Sequence, residues 1–149
     1  MGYFQELIGN SLFMAAAISW AVAQVIKTLI NLIVTKSFDP GRLIGSGGMP
    51  SSHSAFVTGL AVSAFVNLGP GSPVFAVAFV VAFVVMYDAM GVRRETGKQA
   101  ELLNQITEIF SANYAEFDTP EKALKVLVGH TPLQVLFGCI IGIIVGVLI

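Results

Sequence analysis

The sequence predicts an all-α integral membrane protein, a bundle of about four transmembrane helices with a cytoplasmic amphipathic helical excursion. Three observations predict it. Hydrophobic residues make up 55% of the 149-residue chain and charged residues only 11%, where soluble domains carry roughly 45–50% and 25%. The apolar residues fall in four long blocks. Nearly all the basic residues fall in two of the intervals between those blocks. So few charges cannot coat a globule. A net charge of −1, with no basic stripe, argues against nucleic acid as a partner. At this length the chain reads as a single membrane domain, residues 1–149.

The first block, about 11–35, is interrupted only by Gln24, Lys27 and Asn31. Ala21-Val22-Ala23 mimics a signal-peptide cleavage site. Glu6 stands before the run without a basic residue, and the run is too long, so a retained helix is expected. Polar groups inside such a segment tend to face a bundle interior. For Lys27 the favoured expectation is instead that its stem snorkels toward the cytoplasmic end.

The second block, about 53–68, is marginal for a span, for which about 17 residues is the lower limit. The turn Gly69-Pro70-Gly71-Ser72-Pro73 joins it to the third block, about 73–90, as an antiparallel hairpin.

Residues 91–130 form the one large polar insertion. Leu102, Leu103, Ile106, Ile109 and Phe110 keep helical spacing opposite Lys98, Glu101, Gln105 and Glu108. Such a helix lies along the membrane interface or on its own loop. A short helix starts at Thr119-Pro120-Glu121 and stops at Gly129.

The last block, about 132–149, carries Gly138, Gly142 and Gly146 on one face. That rhythm permits close helix approach, within the monomer or across a homodimer. Cys139 is the only cysteine and can form no intrachain disulfide. Seven of the eight Lys and Arg residues lie within 36–52 and 91–130. A four-span topology puts both stretches on one side, and the positive-inside rule makes that side cytoplasmic.

Both histidines stand at the start of an apolar block on that side. His53 lies in Gly47-Gly48-Met49-Pro50-Ser51-Ser52-His53-Ser54, and His130 in Gly129-His130-Thr131-Pro132. Helix N-termini offer unpaired N–H groups and partial positive charge, which suits a phosphate-like anion. The preceding glycines let backbone approach a ligand closely. Lys36, Arg42, Arg93 and Arg94 add cations on the same side. Two imidazoles among cations at helix N-termini suit phosphoryl transfer. Alternatively, the histidines are interfacial polar residues and the cations follow from topology alone.

Pro50-Ser51-Ser52-His53-Ser54 resembles the central motif of type 2 phosphatidic acid phosphatases and vanadium-dependent haloperoxidases. His130-Thr131-Pro132-Leu133-Gln134-Val135-Leu136-Phe137-Gly138 resembles their final motif, in which an acidic residue stands four positions after the histidine. With Asp88-Ala89-Met90-Gly91-Val92-Arg93-Arg94, the pattern looks like the divergent, small bacterial and plastid branch of that superfamily. The resemblance covers roughly residues 36–142.

It implies a metal-independent phosphatase, without cofactor, in the bacterial cell membrane or a plastid membrane, its site facing the cytoplasm. The substrate would be a phosphate ester or pyrophosphate of a lipid. By the same resemblance His130 is the nucleophile that forms a phosphohistidine, and His53 protonates the leaving oxygen. Ser51, Ser52 and backbone N–H groups hold phosphate oxygens. Lys36, Arg42 and Arg93 or Arg94 neutralise the transition state, a division suited to phosphoryl transfer.

Three departures from the pattern stand out. Lys36 and Arg42 are six apart with Leu43 following, where the family has seven and a proline. The insertion separates Arg93 and Arg94 from His130. Gln134 replaces the acid that orients the nucleophile, with Asp88 as a spatial substitute. That replacement keeps a second class open, a non-catalytic binder or transporter of phosphorylated lipid that retains the anion site. A third is a small membrane scaffold.

Overall fold

Asn10 begins the first long helix by accepting the Phe13 N–H on its side chain at 3.1 Å, which satisfies one of the four donors a helix start leaves over. The computed structural model describes residues 2–38, 40, 47–113 and 130–149, without the side chains of 92–94 and 111–113. Six helices occupy these residues: α1 Gly2–Gly9, α2 Ser11–Thr35, α3 Ser52–Leu68, α4 Pro73–Met90, α5 Val92–Asn113 and α6 Pro132–Leu148. The short helix α1 has no counterpart among the apolar blocks, and packs only on α2 among the described elements. Arg42 and the helix expected from Thr119 to Gly129 lie outside the described residues.

Helix α3 is the centre, flanked by α2, α4 and α6. Small residues let the backbones close in. A Cβ added at Gly142 would lie 2.7 Å from Ala55 O and 2.8 Å from Gly59 N; one at Gly146 would lie 2.9 Å from Gly59 O. Gly138 meets the Ser51 carbonyl, and Gly59 of α3 meets Ser19 of α2. All three α6 glycines are therefore buried on α3 of the same chain. Of the two uses expected of this face, the structure shows packing within the chain.

The interior contains Ala15, Ala16, Ala23, Ala55, Ala64 and Ala82, and the largest fully buried side chains are serines. Large apolar side chains point outward. On α4 alone, Val77, Phe79, Val80, Phe83 and Val84 are each more than half exposed. A soluble monomer rarely presents an apolar patch beyond a few hundred Å², whereas lipid favours small residues inside and large ones outside. Helix α2 and the helical run starting at Pro73 are long and apolar enough to cross a membrane; α3 and α6 are shorter apolar helices. The chain is an all-helical membrane protein.

Helix α5 begins immediately beyond Gly91 and packs only on α4 among the described elements. Leu102, Leu103 and Ile109 are exposed along it. The antiparallel order brings the C-terminal ends of α2 and α4 to the N-terminal ends of α3 and α6. The site lies there.

Candidate active site

Ser51 caps α3. Its Oγ accepts the Ser54 N–H at 3.3 Å and the Ser54 hydroxyl at 2.9 Å, and its own N–H donates to the Gln134 carbonyl at 2.9 Å. That last bond staples the start of α3 to the first turn of α6. A second bond, from His130 N–H to Ala89 O at 3.0 Å, ties the approach to α6 to the end of α4. Two residues from distant parts of the chain are thereby fixed side by side. The rings of His53 and His130 stand 5.8 Å apart between centroids, inclined at 59°. His130 is 4% exposed.

Thr131 caps α6 in a reciprocal box. Its Oγ1 accepts the Gln134 N–H at 3.4 Å, and its N–H donates to Gln134 Oε1 at 3.1 Å. This box fixes the chemistry of His130. A backbone N–H only donates, so the Gln134 atom facing it is the carbonyl oxygen. The same Oε1 lies 3.1 Å from His130 Nδ1. The ring must then donate from Nδ1, and a neutral His130 carries its lone pair on Nε2. The amide thus sets the tautomer that an acid would set, without supplying its charge.

Lys27 is the residue whose placement differs most from expectation. Rather than snorkelling outward, it is 3% exposed, and its Nζ donates to Gln24 Oε1 at 2.7 Å and to Ser52 Oγ at 3.2 Å. Gln24 and Lys27, three residues apart on the buried face of α2, hold the ammonium against the first turn of α3. The signal was present in sequence: polar residues inside a membrane-type segment commonly face the interior. Gly48 covers the lysine stem. Its φ of 80° lies in the left-handed region glycine adopts readily, and an added Cβ would lie 3.4 Å from Lys27 Cγ. A cavity of about 150 Å³ opens there, lined by Lys27, Ile30, Asn31, Val34, Gly48 and Met49.

The other expected site residues separate into groups. Ser52 lies at the site, facing Lys27. Ser51 is fully buried as the cap, its hydroxyl engaged with Ser54. Lys36 is exposed at the C-cap of α2, with φ 53° and its N–H donating to Leu32 O. Asp88 is partly buried one residue before Ala89, at the same end of the bundle. Arg93 and Arg94 belong to the first turn of α5, and their side chains are outside the description. Among the described residues no three His, Cys, Asp or Glu side chains gather as a metal-ligand set.

A family model described as "Divergent PAP2 family" matches residues 8–145. The chain is 39% identical over 148 residues to the uncharacterized membrane protein YuiD of Bacillus subtilis (strain 168), an alignment covering 93% of each chain. No solved structure matches.

Proposed function

The chain belongs to the Divergent PAP2 family, and on that premise we propose that it is a membrane phosphatase hydrolysing a phosphate ester or pyrophosphate of a lipid-like substrate through a phosphohistidine. One observation carries the reading: two imidazoles held 5.8 Å apart where two helix N-termini abut, with the Nδ1 of His130 already engaged.

His130 Nε2 attacks phosphorus while the P–O bond to the leaving group breaks. His53, entering as imidazolium, gives its proton to the departing oxygen. Water then attacks the phosphohistidine and loses its proton to His53. The P–N bond breaks, inorganic phosphate leaves, and His130 returns neutral. First-turn N–H groups and the positive end of α3 stabilise the phosphoryl oxygens. Such a transfer needs chiefly positioning and charge stabilisation, both of which this end of the bundle offers.

In this reading α2, α3, α4 and α6 all span the membrane of a bacterial cell or plastid, and the site faces the cytoplasm. The distribution of Lys and Arg supports that orientation. Arg42, Arg93 and Arg94 neutralise the transition state from the same side, and Asp88 supports the histidine pair.

The test is hydrolysis by purified protein of phosphatidate, phosphatidylglycerophosphate and isoprenoid phosphates, with a rapid quench after ³²P-labelled substrate. Protein-bound label that is acid-labile and alkali-stable is expected, absent from His130→Ala. Undiminished turnover in His130→Ala refutes the assigned nucleophile. A second reading, a non-catalytic binder of phosphorylated lipid, is favoured by Gln134 alone. It predicts anion binding without turnover in the wild type.

A further inference from the structure

We propose that Lys27 is a phosphate-binding residue of this site, and that the cleft it floors admits a single-tailed amphiphilic phosphate in preference to a diacylated one. The inference rests on the phosphatase reading for its substrate and on the cleft for its selectivity.

Lys27 Nζ bonds Ser52 Oγ at 3.2 Å, and Ser52 and His53 are successive residues of the first turn of α3. An anion seated on that turn therefore comes within reach of the ammonium. It replaces a neutral hydroxyl with a charged acceptor, and charge-assisted hydrogen bonds are roughly twice as strong as neutral ones. Gln24 keeps Nζ directed at α3 rather than along α2. Lys36, the lysine expected in this role from the family pattern, is exposed beyond the end of α2.

The walls of the cleft set the class of ligand. Ile30, Val34 and Met49 are apolar and Asn31 is polar, so the cleft grades from a cation to hydrocarbon. Its volume is about 150 Å³. Pockets that enclose whole ligands run to roughly 300–1,000 Å³. This one lies beside Lys27 and has room for the root of one chain from a headgroup seated on the first turn of α3. The rest of the chain leaves along Ile30 and Val34, which are 40% and 74% exposed.

The test uses the full chain in detergent micelles, with inorganic phosphate, phenyl phosphate, dodecyl phosphate and dioleoyl phosphatidate as probes. Wild type should melt higher with increasing inorganic phosphate and should hydrolyse dodecyl phosphate with a lower KM than phosphatidate. Lys27→Met should lose the phosphate-dependent shift and raise KM roughly 10- to 100-fold, the scale of a lost hydrogen bond to a charged group. Lys27→Arg should retain most of the shift. Val34→Trp, on the outer wall, should raise KM for dodecyl phosphate at least about tenfold more than for phenyl phosphate.

Lys27→Met binding phosphate as wild type does overturns the inference. If that variant does not fold, Lys27→Arg decides on the cation: a shift lost as completely as with no cation overturns it. Equal effects of Val34→Trp on both substrates overturn the cleft assignment, as does a preference for phosphatidate. Wild type that binds phosphate through Lys27 yet turns over no substrate leaves Lys27 as an anion ligand and sinks the phosphatase reading instead.

Discussion

Gln134 Oε1 lies 3.1 Å from His130 Nδ1 and, with the same oxygen, 3.1 Å from the Thr131 N–H. One carbonyl therefore completes a helix cap and sets the tautomer of the proposed nucleophile. In the serine-protease precedent, exchanging the orienting Asp for Asn costs about 10⁴ in rate because the imidazole adopts the wrong tautomer. Here the Thr131 N–H prevents the amide from turning its NH₂ toward the ring. Only the missing negative charge separates this site from one with an acid.

Restoring that charge is the most direct prediction. Gln134→Glu keeps the reciprocal cap, because glutamate fills the third position of such boxes as well as glutamine does. It adds a carboxylate against a ring that becomes cationic on phosphorylation. The expected result is a kcat roughly five- to tenfold higher, since hydrogen bonds to charged groups exceed neutral ones by about 1–1.5 kcal/mol. The melting temperature should stay nearly constant. Steady-state kinetics beside calorimetry checks both, and an unchanged kcat removes His130 from the rate-limiting chemistry.

Thr131→Ala should lower stability while leaving the His130 tautomer in place. Loss of an N-cap hydroxyl costs about 1 kcal/mol, and here Gln134 also loses the partner that holds its backbone N–H. The backbone N–H at position 131 survives the change and still faces Gln134 Oε1. The discriminating readout is the His130 ring by ¹⁵N NMR: the population protonated at Nδ1 should hold while the melting temperature falls. A variant that loses that tautomer would show that the Thr131 hydroxyl, and not its backbone N–H, governs the amide.

Much of this was legible in the residues. The four apolar blocks are helices because their composition leaves little alternative in lipid, and Ser51 and Thr131 mark starts by ordinary capping chemistry. The meeting of His53 with His130 followed from motif likeness, since no local rule relates residues so far apart in the chain. What the sequence left hidden were choices decided by packing. Whether Lys27 snorkels or turns inward depends on Gln24 and Gly48 beside it. Whether the Gly138, Gly142 and Gly146 face meets its own chain or another depends on α3 offering Ser51, Ala55 and Gly59 as a matching surface. Helix α1 escaped notice because its apolar residues, such as Tyr3 and Phe4, are too few to form a block.

The glycine stripe gives a stability prediction. At Gly142 an added Cβ would lie 2.7 Å from both Ala55 O and Thr58 Cβ, and neither backbone can yield without moving a helix. Gly142→Ala should destabilise by roughly 1–3 kcal/mol, the range for overpacking a filled core. Gly142→Leu should prevent folding. Gly71, with nothing within 4 Å of an added Cβ, serves as the control, and Gly71→Ala should change stability little. Detergent-phase melting of the three variants decides the matter. A Gly142→Ala protein as stable as wild type would mean that α3 and α6 are not in this close contact.

Lys36 and Lys27 should respond oppositely to neutralisation. Lys36 is exposed and holds a left-handed φ of 53° at the end of α2, a conformation that costs a residue with a Cβ roughly 1–2 kcal/mol and glycine almost nothing. Lys36→Gly should therefore stabilise the protein by up to about 1 kcal/mol, visible as a higher melting temperature. Its exposed side chain makes little contact with the proposed site, so KM should move by less than about twofold, against the much larger rise expected for Lys27→Met. If Lys36→Gly instead raises KM as strongly as Lys27→Met does, the phosphate is held at the outer end of α2. The inward-facing lysine would then be a structural group that braces α2 against α3.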